Sequence, residues 1–284
     1  MKNKKLNDRN LYLVTGQECS LGRATIEVVK AAILGGVDIV QMREKTFSAA
    51  ELKELGVKLS KICSGAGVKF IVNDDPYLAK EVGADGVHLG QEDLKKFPID
   101  TVRRILGPDG IIGVSTHSLQ EAEIGMTSDA DYIAFGPVFP TKTKDYFVGI
   151  SDVPDVLGLG NKPVVMIGGI NGDNIDQLLS LGAGNIAMIR HITEASDIEK
   201  EVRRIKEKIF SSGSSGTGVN IRINGVVQAI GKEMSIFELV ESRGLRPERV
   251  VIEHNDKIVL KDMWSEVSLR GGDNVEIVSF VGGG

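Results

Sequence analysis

Three polar residues stand at alternate positions in the stretch QMREK: Gln41, Arg43 and Lys45. In an extended chain alternate side chains share a face, so an amide and two cations form one file. Such a file is costly to bury without a partner, and an anion is the natural one. Arginine offers a planar fork and lysine a point charge, a pairing suited to phosphate. The plain alternative is a solvated strand end with ordinary salt bridges. Two acids follow: Asp74, beside Asn73 in IVNDDPYLA, and Asp93 in GVHLGQEDL. Carboxylates arriving from neighbouring strand ends near Arg and Lys suit a Mg²⁺ ion held by few protein ligands and by substrate phosphates. Asp75, directly before Pro76, reads instead as a helix cap. Thr141, Thr143 and Lys144 in GPVFPTKTKDY supply hydroxyls and a cation, as a further phosphate contact or simply as a polar surface loop. The glycines of IGGI and the stretch AMIRHI leave backbone N–H groups open to an anion, unless they merely pack. His88, read among apolar neighbours, and His117 are taken as structural, with no catalytic role. No nucleophile lies beside a base, which favours chemistry driven by a departing phosphate group over covalent catalysis.

These residues make a site only if the elements carrying them converge. Short apolar runs are read as strands at Leu11–Gly16, Asp38–Glu44, Lys69–Asp74, Gly86–Gly90, Ile111–Thr116, Tyr132–Val138, Pro163–Gly169 and Asn185–Ile189. Amphipathic stretches separate them, one with Leu52, Leu55, Leu59 and Ile62 on a single face, another with Ile198, Val202, Ile205 and Ile209. Runs apolar on both faces belong to parallel strands, and eight βα units predict a (β/α)₈ TIM barrel over residues 1–210. Functional groups then sit where strands end and βα loops begin, which is where the polar residues above fall.

Ser211–Gly218, SSGSSGTG, has the composition of a flexible linker. Beyond it the pattern changes. Val219–Ile230 reads as two strands about Asn224-Gly225, a strong hairpin signal. Ser235 and Glu238 are spaced as a capping box, with Gly244 as the helix stop, and two further strand patterns follow. Residues 219–284 are therefore expected to form a small α+β domain. The chain then ends on three glycines, which have no side chain to pack.

The composition is that of a globular protein, with 42% hydrophobic and 26% charged residues. Val219–Gly284 holds eight Lys and Arg against ten Asp and Glu, and the first 218 residues 26 against 29, so neither part carries a basic stripe. With aromatic residues at only 5%, neither nucleic acid nor membrane is expected as a partner. Two isolated cysteines and no apolar run of membrane length point to a reduced, cytoplasmic setting.

The motifs YLVTG, QMREK, VNDDPYLA, GADGVHLGQEDL, GVSTHS, DYIAFGPVFPTKTK and VVMIGGI together resemble the thiamine phosphate synthase family from Asn10 to about Phe210. The resemblance implies coupling of an aminomethylpyrimidine diphosphate to a thiazole phosphate or its carboxylate, with release of diphosphate. It implies that Gln41, Arg43 and Lys45 hold the pyrimidine diphosphate with Asn73, Ser115 and Lys144, and that Asp74 and Asp93 are Mg²⁺ ligands. Arg43 and Lys144 would stabilise the departing diphosphate. Thr141, Thr143, Gly169 and the backbone of Ile189-Arg190 would form the thiazole phosphate site. Arg190-His191 is a departure, since many relatives carry a small Ser-Ala pair there. Val219–Gly284 resembles the ubiquitin-like, β-grasp sulfur carriers of thiamine biosynthesis. This implies a Gly284 thiocarboxylate, a carrier-activating adenylyltransferase and a thiazole synthase as partners, and a tail thin enough to enter their active sites. Two rival readings are weaker. One is a thiazole tautomerase-like barrel, which would not need the diphosphate and metal residues; the other is a last domain that only docks.

Overall fold

The computed structural model describes residues 6–142, 145–160, 162–211, 218–231, 234–243, 245 and 247–279. Thr143, Lys144, Gly244 and Gly284, each expected to have a role, lie outside them. The chain divides into two units, Met1–Ile209 and Phe210–Gly284.

In the first unit eight strands close a parallel barrel in chain order: β1 (Asn10–Val14), β2 (Ile39–Met42), β3 (Lys69–Asn73), β4 (Gly86–Leu89), β5 (Ile111–Thr116), β6 (Tyr132–Phe135), β7 (Val164–Ile167) and β8 (Asn185–Met188). Alternation along each strand sorts the apolar residues into two layers. Leu11, Leu13, Val40, Met42, Phe70 and Val72 belong to the layer packed with the helices. Tyr12, Ile39, Ile71, Tyr132, Val165 and Ala187 form a separate cluster in the lumen. The stripe Leu55, Leu59 and Cys63 buries helix Ala49–Gly65, while Ile198, Val202, Ile205 and Ile209 bury helix Ile198–Ser211.

An aspartate precedes each of three even-numbered strands. Asp38, Asp85 and Asp131 accept the backbone N–H of Leu11, Phe70 and Ile112 at 2.7, 2.9 and 2.8 Å. Each carboxylate thus serves a donor at the start of the neighbouring strand, and none is available at the opposite end, where the polar file lies. Among the described residues no helix is long and apolar enough to cross a membrane.

The second unit is a five-stranded mixed sheet of β9 (Gly218–Ile223), β10 (Val226–Gly231), β11 (Val250–His254), β12 (Lys257–Val259) and β13 (Asn274–Ser279), in the order β10-β9-β13-β11-β12. The β9 and β13 strands pair in parallel and the rest antiparallel. Asn224 and Gly225 both take positive φ, 47° and 77°, as the hairpin requires. Helix Ile236–Ser242 starts on the expected capping box, with Ser235 Oγ accepting from Glu238 N–H and Glu238 accepting from Ser235 N–H. Its Ile236, Leu239 and Val240 pack with Ile221, Ile252, Val275 and Trp264 in a second core. This is the ubiquitin-like α+β arrangement expected from the sequence.

Candidate active site

The mouth of the barrel opens into a cavity of about 1350 Å³. Gln41, Arg43, Lys45, Asn73, Asp74, Asp93, Ser115, Thr141, Gly169, Ile189 and Arg190 all line it, so every site residue expected from the sequence that the structure describes comes to one place. Strand β2 ends at Met42, one residue short of Arg43. The file therefore continues past the sheet, and something other than the ladder must aim it. Glu44 does so from the opposite side. It is buried, accepting from Gln17 N–H and from the Thr25 hydroxyl, both at 2.7 Å. Arg43 N–H donates to the Thr15 hydroxyl at 3.0 Å. Pinned in this way, the loop turns Arg43 and Lys45 into the cavity.

Asp74 follows β3 with a left-handed backbone, φ 67°, and its N–H donates to the His88 carbonyl at 2.8 Å. Asp93 accepts from Gly90 N–H at 2.9 Å. Burial, then the charge and hydrogen bond of Asp93, push the Asp74 carboxyl up to about 6, against the pull of Arg43 and Lys45. Two acids held this close are relieved by a cation, so the donor set fits a divalent ion with a small protein share of its ligands. Among the described residues no group of three or more His, Cys, Asp and Glu gathers as a metal site. Asp75 is the cap expected, accepting from Tyr77 N–H and Leu78 N–H at 2.9 and 3.0 Å.

Across the mouth, Gly168 and Gly169 follow β7 with φ of 96° and 68°. A Cβ on Gly169 would lie 2.4 Å from the Pro140 carbonyl oxygen, so only glycine admits this close approach to the loop carrying Thr141. Asn174 Nδ2 donates to the Gly169 carbonyl at 2.9 Å and holds the turn. After β8, Arg190 pairs with Glu194 at 2.6 Å while its Nε is buried without a partner. The neighbouring His191 is held by Glu201 at 2.5 Å.

His88 departs from the expected apolar setting. Alternation turns it into the lumen, where Nδ1 lies 3.0 Å from the Tyr132 hydroxyl and Nε2 2.9 Å from the Ser115 hydroxyl. Burial lowers its pKa to about 4. His117 is held by the Gly136 carbonyl at 2.5 Å and lies edge-on to Tyr146. Tyr12, Tyr132 and Glu44 were not anticipated from the sequence. Their signal is a hydroxyl within an apolar run, or an acid between two cations.

A family model described as thiamine monophosphate synthase matches residues 11–192, and a ThiS family model matches residues 221–284. The thiamine-phosphate synthase of Shouchella clausii is 43% identical over 195 residues, covering 66% of this chain and 90% of that protein. That of Natronomonas pharaonis is 42% identical over 207 residues, covering 71% and 95%. Among solved structures, thiamine phosphate pyrophosphorylase from Pyrococcus furiosus matches with a TM-score of 0.65 at 34% identity, over 72% of this chain and 98% of that one.

Proposed function

The chain belongs to the thiamine monophosphate synthase family, and from that premise we propose how its cavity divides the work of coupling two phosphorylated rings. It is a transferase with thiamine-phosphate synthase activity, and it carries a ThiS-family, sulfur-carrier-like domain at residues 221–284. The observation that supports the reading is that Gln41, Arg43, Lys45, Asn73 and Ser115 line the same cavity as Thr141, Gly169, Ile189 and Arg190. On one wall Gln41, Arg43, Lys45, Asn73 and Ser115 take the pyrimidine diphosphate, joined by Lys144. On the other, Thr141, Gly169 and the backbone of Ile189 and Arg190 take the thiazole phosphate, joined by Thr143.

Asp74 and Asp93 would hold Mg²⁺, which supplies positive charge to the diphosphate oxygens when bound. Arg43 and Lys144 stabilise the charge that grows on diphosphate as its bond to the pyrimidine methylene breaks. The walls hold the thiazole nitrogen facing that carbon, so attack needs little further ordering. No protein nucleophile takes part. The second unit acts as a sulfur carrier through a Gly284 thiocarboxylate, with an activating adenylyltransferase and a thiazole synthase as partners. The setting for both activities is cytoplasmic.

The test is diphosphate release by the full chain with pyrimidine diphosphate, thiazole phosphate and Mg²⁺, each omitted in turn. Release that needs all three and yields thiamine phosphate is expected. No turnover with all three present would overturn the synthase assignment of these residues and bring forward a tautomerase-like barrel. For the tail, a mass gain of about 16 Da, one oxygen exchanged for sulfur, is expected after incubation with the activating enzyme and a sulfur donor.

A further inference from the structure

A chain of hydrogen bonds crosses the lumen at the cavity floor, where His88 is itself a lining residue. Gln41 Nε2 lies 2.9 Å from the Tyr12 hydroxyl, which lies 2.9 Å from the Tyr132 hydroxyl. Tyr132 reaches His88 Nδ1 at 3.0 Å, and His88 Nε2 reaches the Ser115 hydroxyl at 2.9 Å. Five residues from strands β2, β1, β6, β4 and β5 are thus joined in one line. Both of its ends, Gln41 and Ser115, line the cavity. The two tyrosines are at most 2% exposed and His88 is 7% exposed, so water cannot replace a missing partner at low cost. The barrel is also cut to fit the line. A Cβ on Gly113 would stand 2.0 Å from the Tyr132 ring, so this bare position on β5 is what lets the ring cross the lumen. The His88 and Tyr132 rings stack with centroids 5.6 Å apart.

We propose that this line is a directional relay that sets the Ser115 hydroxyl as a hydrogen-bond donor into the cavity, with Tyr132 and His88 as its positioning residues. The direction follows from counting donors. Gln41 Nε2 only donates, so the Tyr12 oxygen accepts, and the buried Tyr12 proton is satisfied by its other partner, the Tyr132 oxygen. The Tyr132 proton then goes to His88 Nδ1, which must be bare. A neutral His88 consequently carries its hydrogen on Nε2 and gives it to the Ser115 oxygen. That leaves the Ser115 proton facing the space beside Arg43 and Lys45, where an anionic oxygen accepts it. Had the line run the other way, Ser115 would donate to His88 and turn lone pairs toward the anion, a repulsive arrangement. The inference rests on the reading above, in which Ser115 touches the diphosphate.

Two measurements test it on the full chain. The ring tautomer of His88 is read from two-bond ¹⁵N–¹H correlations, a tractable task with four histidines in the sequence. Wild type is expected to show Nε2–H, and Tyr132→Phe a mixture of tautomers. Tyr132→Phe should lower kcat/KM by about tenfold, the cost of one misdirected donor to an anion. The same change in a Ser115→Ala background should cost less than about twofold, because the relay has lost its outlet. Tyr12→Phe removes the group that fixes the direction at Tyr132 and should likewise give a mixture of His88 tautomers, which keeps the proposal testable if Tyr132→Phe folds poorly. An Nδ1–H tautomer in wild type, or equal losses from Tyr132→Phe with and without Ser115, overturns the relay. Absence of thiamine phosphate formation by wild type would instead overturn the assignment of the cavity, leaving the tautomer measurement to judge the relay alone.

Discussion

Asp74→Asn should separate the cost of holding two acids together from their use. The Asp74 carboxyl is raised from 3.8 to about 6, first by burial and then by Asp93. Such a group favours the fold most while it stays protonated. Below about 4 both folded and unfolded chains carry the proton. Between about 4 and about 6 only the folded chain does, so stability falls as pH rises through that window and levels off above it. Fully transmitted, the rise would cost about 3 kcal/mol. Asp74 opens on the cavity mouth although its carboxyl is partly desolvated, and screening by water brings this to about 1 kcal/mol. Asparagine has the shape of the protonated acid and tolerates the left-handed backbone at φ 67°. In the metal-free protein it should therefore raise the barrel's melting temperature by about 3 °C at pH 8 and leave it unchanged at pH 3.5. Trp264 lies in the second unit, so the barrel transition is followed by circular dichroism and not by tryptophan fluorescence. The same variant should lose at least about 100-fold in Mg²⁺-dependent turnover, beyond the usual cost of losing an outer partner of a metal. A melting temperature that falls at pH 8, or rises equally at pH 3.5, would refute the electrostatic reasoning. Unchanged turnover at limiting Mg²⁺ would remove Asp74 from the metal site.

Two other substitutions probe the opposite wall and the far end of the barrel. Gly169→Ala puts a Cβ 2.4 Å from the Pro140 oxygen on a backbone at φ 68°. Initial rates should give a KM for thiazole phosphate raised by about tenfold or more, with that for pyrimidine diphosphate within about twofold; equal changes in both would mean general disruption. Lys206 is buried, with its ammonium 2.6 and 2.7 Å from the two Asp38 oxygens. Lys206→Met should cost about 3 kcal/mol in urea unfolding of the barrel, and adding Asp38→Asn should recover part of that by removing the unpaired charge while keeping an acceptor for Leu11 N–H.

What could be read from the sequence and what could not divide along a physical line. The barrel strands were legible because alternation and apolar runs are local signals, and the site residues were legible because they stand at the ends of those runs. Asn224-Gly225 and the Ser235–Glu238 box are local in the same way, and the structure bears out each. The three-residue β12 gave too short a pattern to register after the Asn255-Asp256 turn, whose φ values of 50° and 63° reverse the chain at once. Tyr12 and Tyr132 are different. Each reads as an ordinary core residue on its own strand, and they meet only because the barrel closes and brings β1 and β6 to face each other across the lumen. Nothing in the spacing of 120 residues between them encodes that contact. Glu44 was hidden for the opposite reason. It sits among cations in QMREK and looks like part of their charge pattern, yet it points away from them to bond Gln17 and Thr25. Residues proposed to touch a ligand were read from type and position, whereas those that aim them are recognised only by the contacts they make. Variants at Tyr132 and Glu44 should therefore weaken the site without removing any group that contacts substrate.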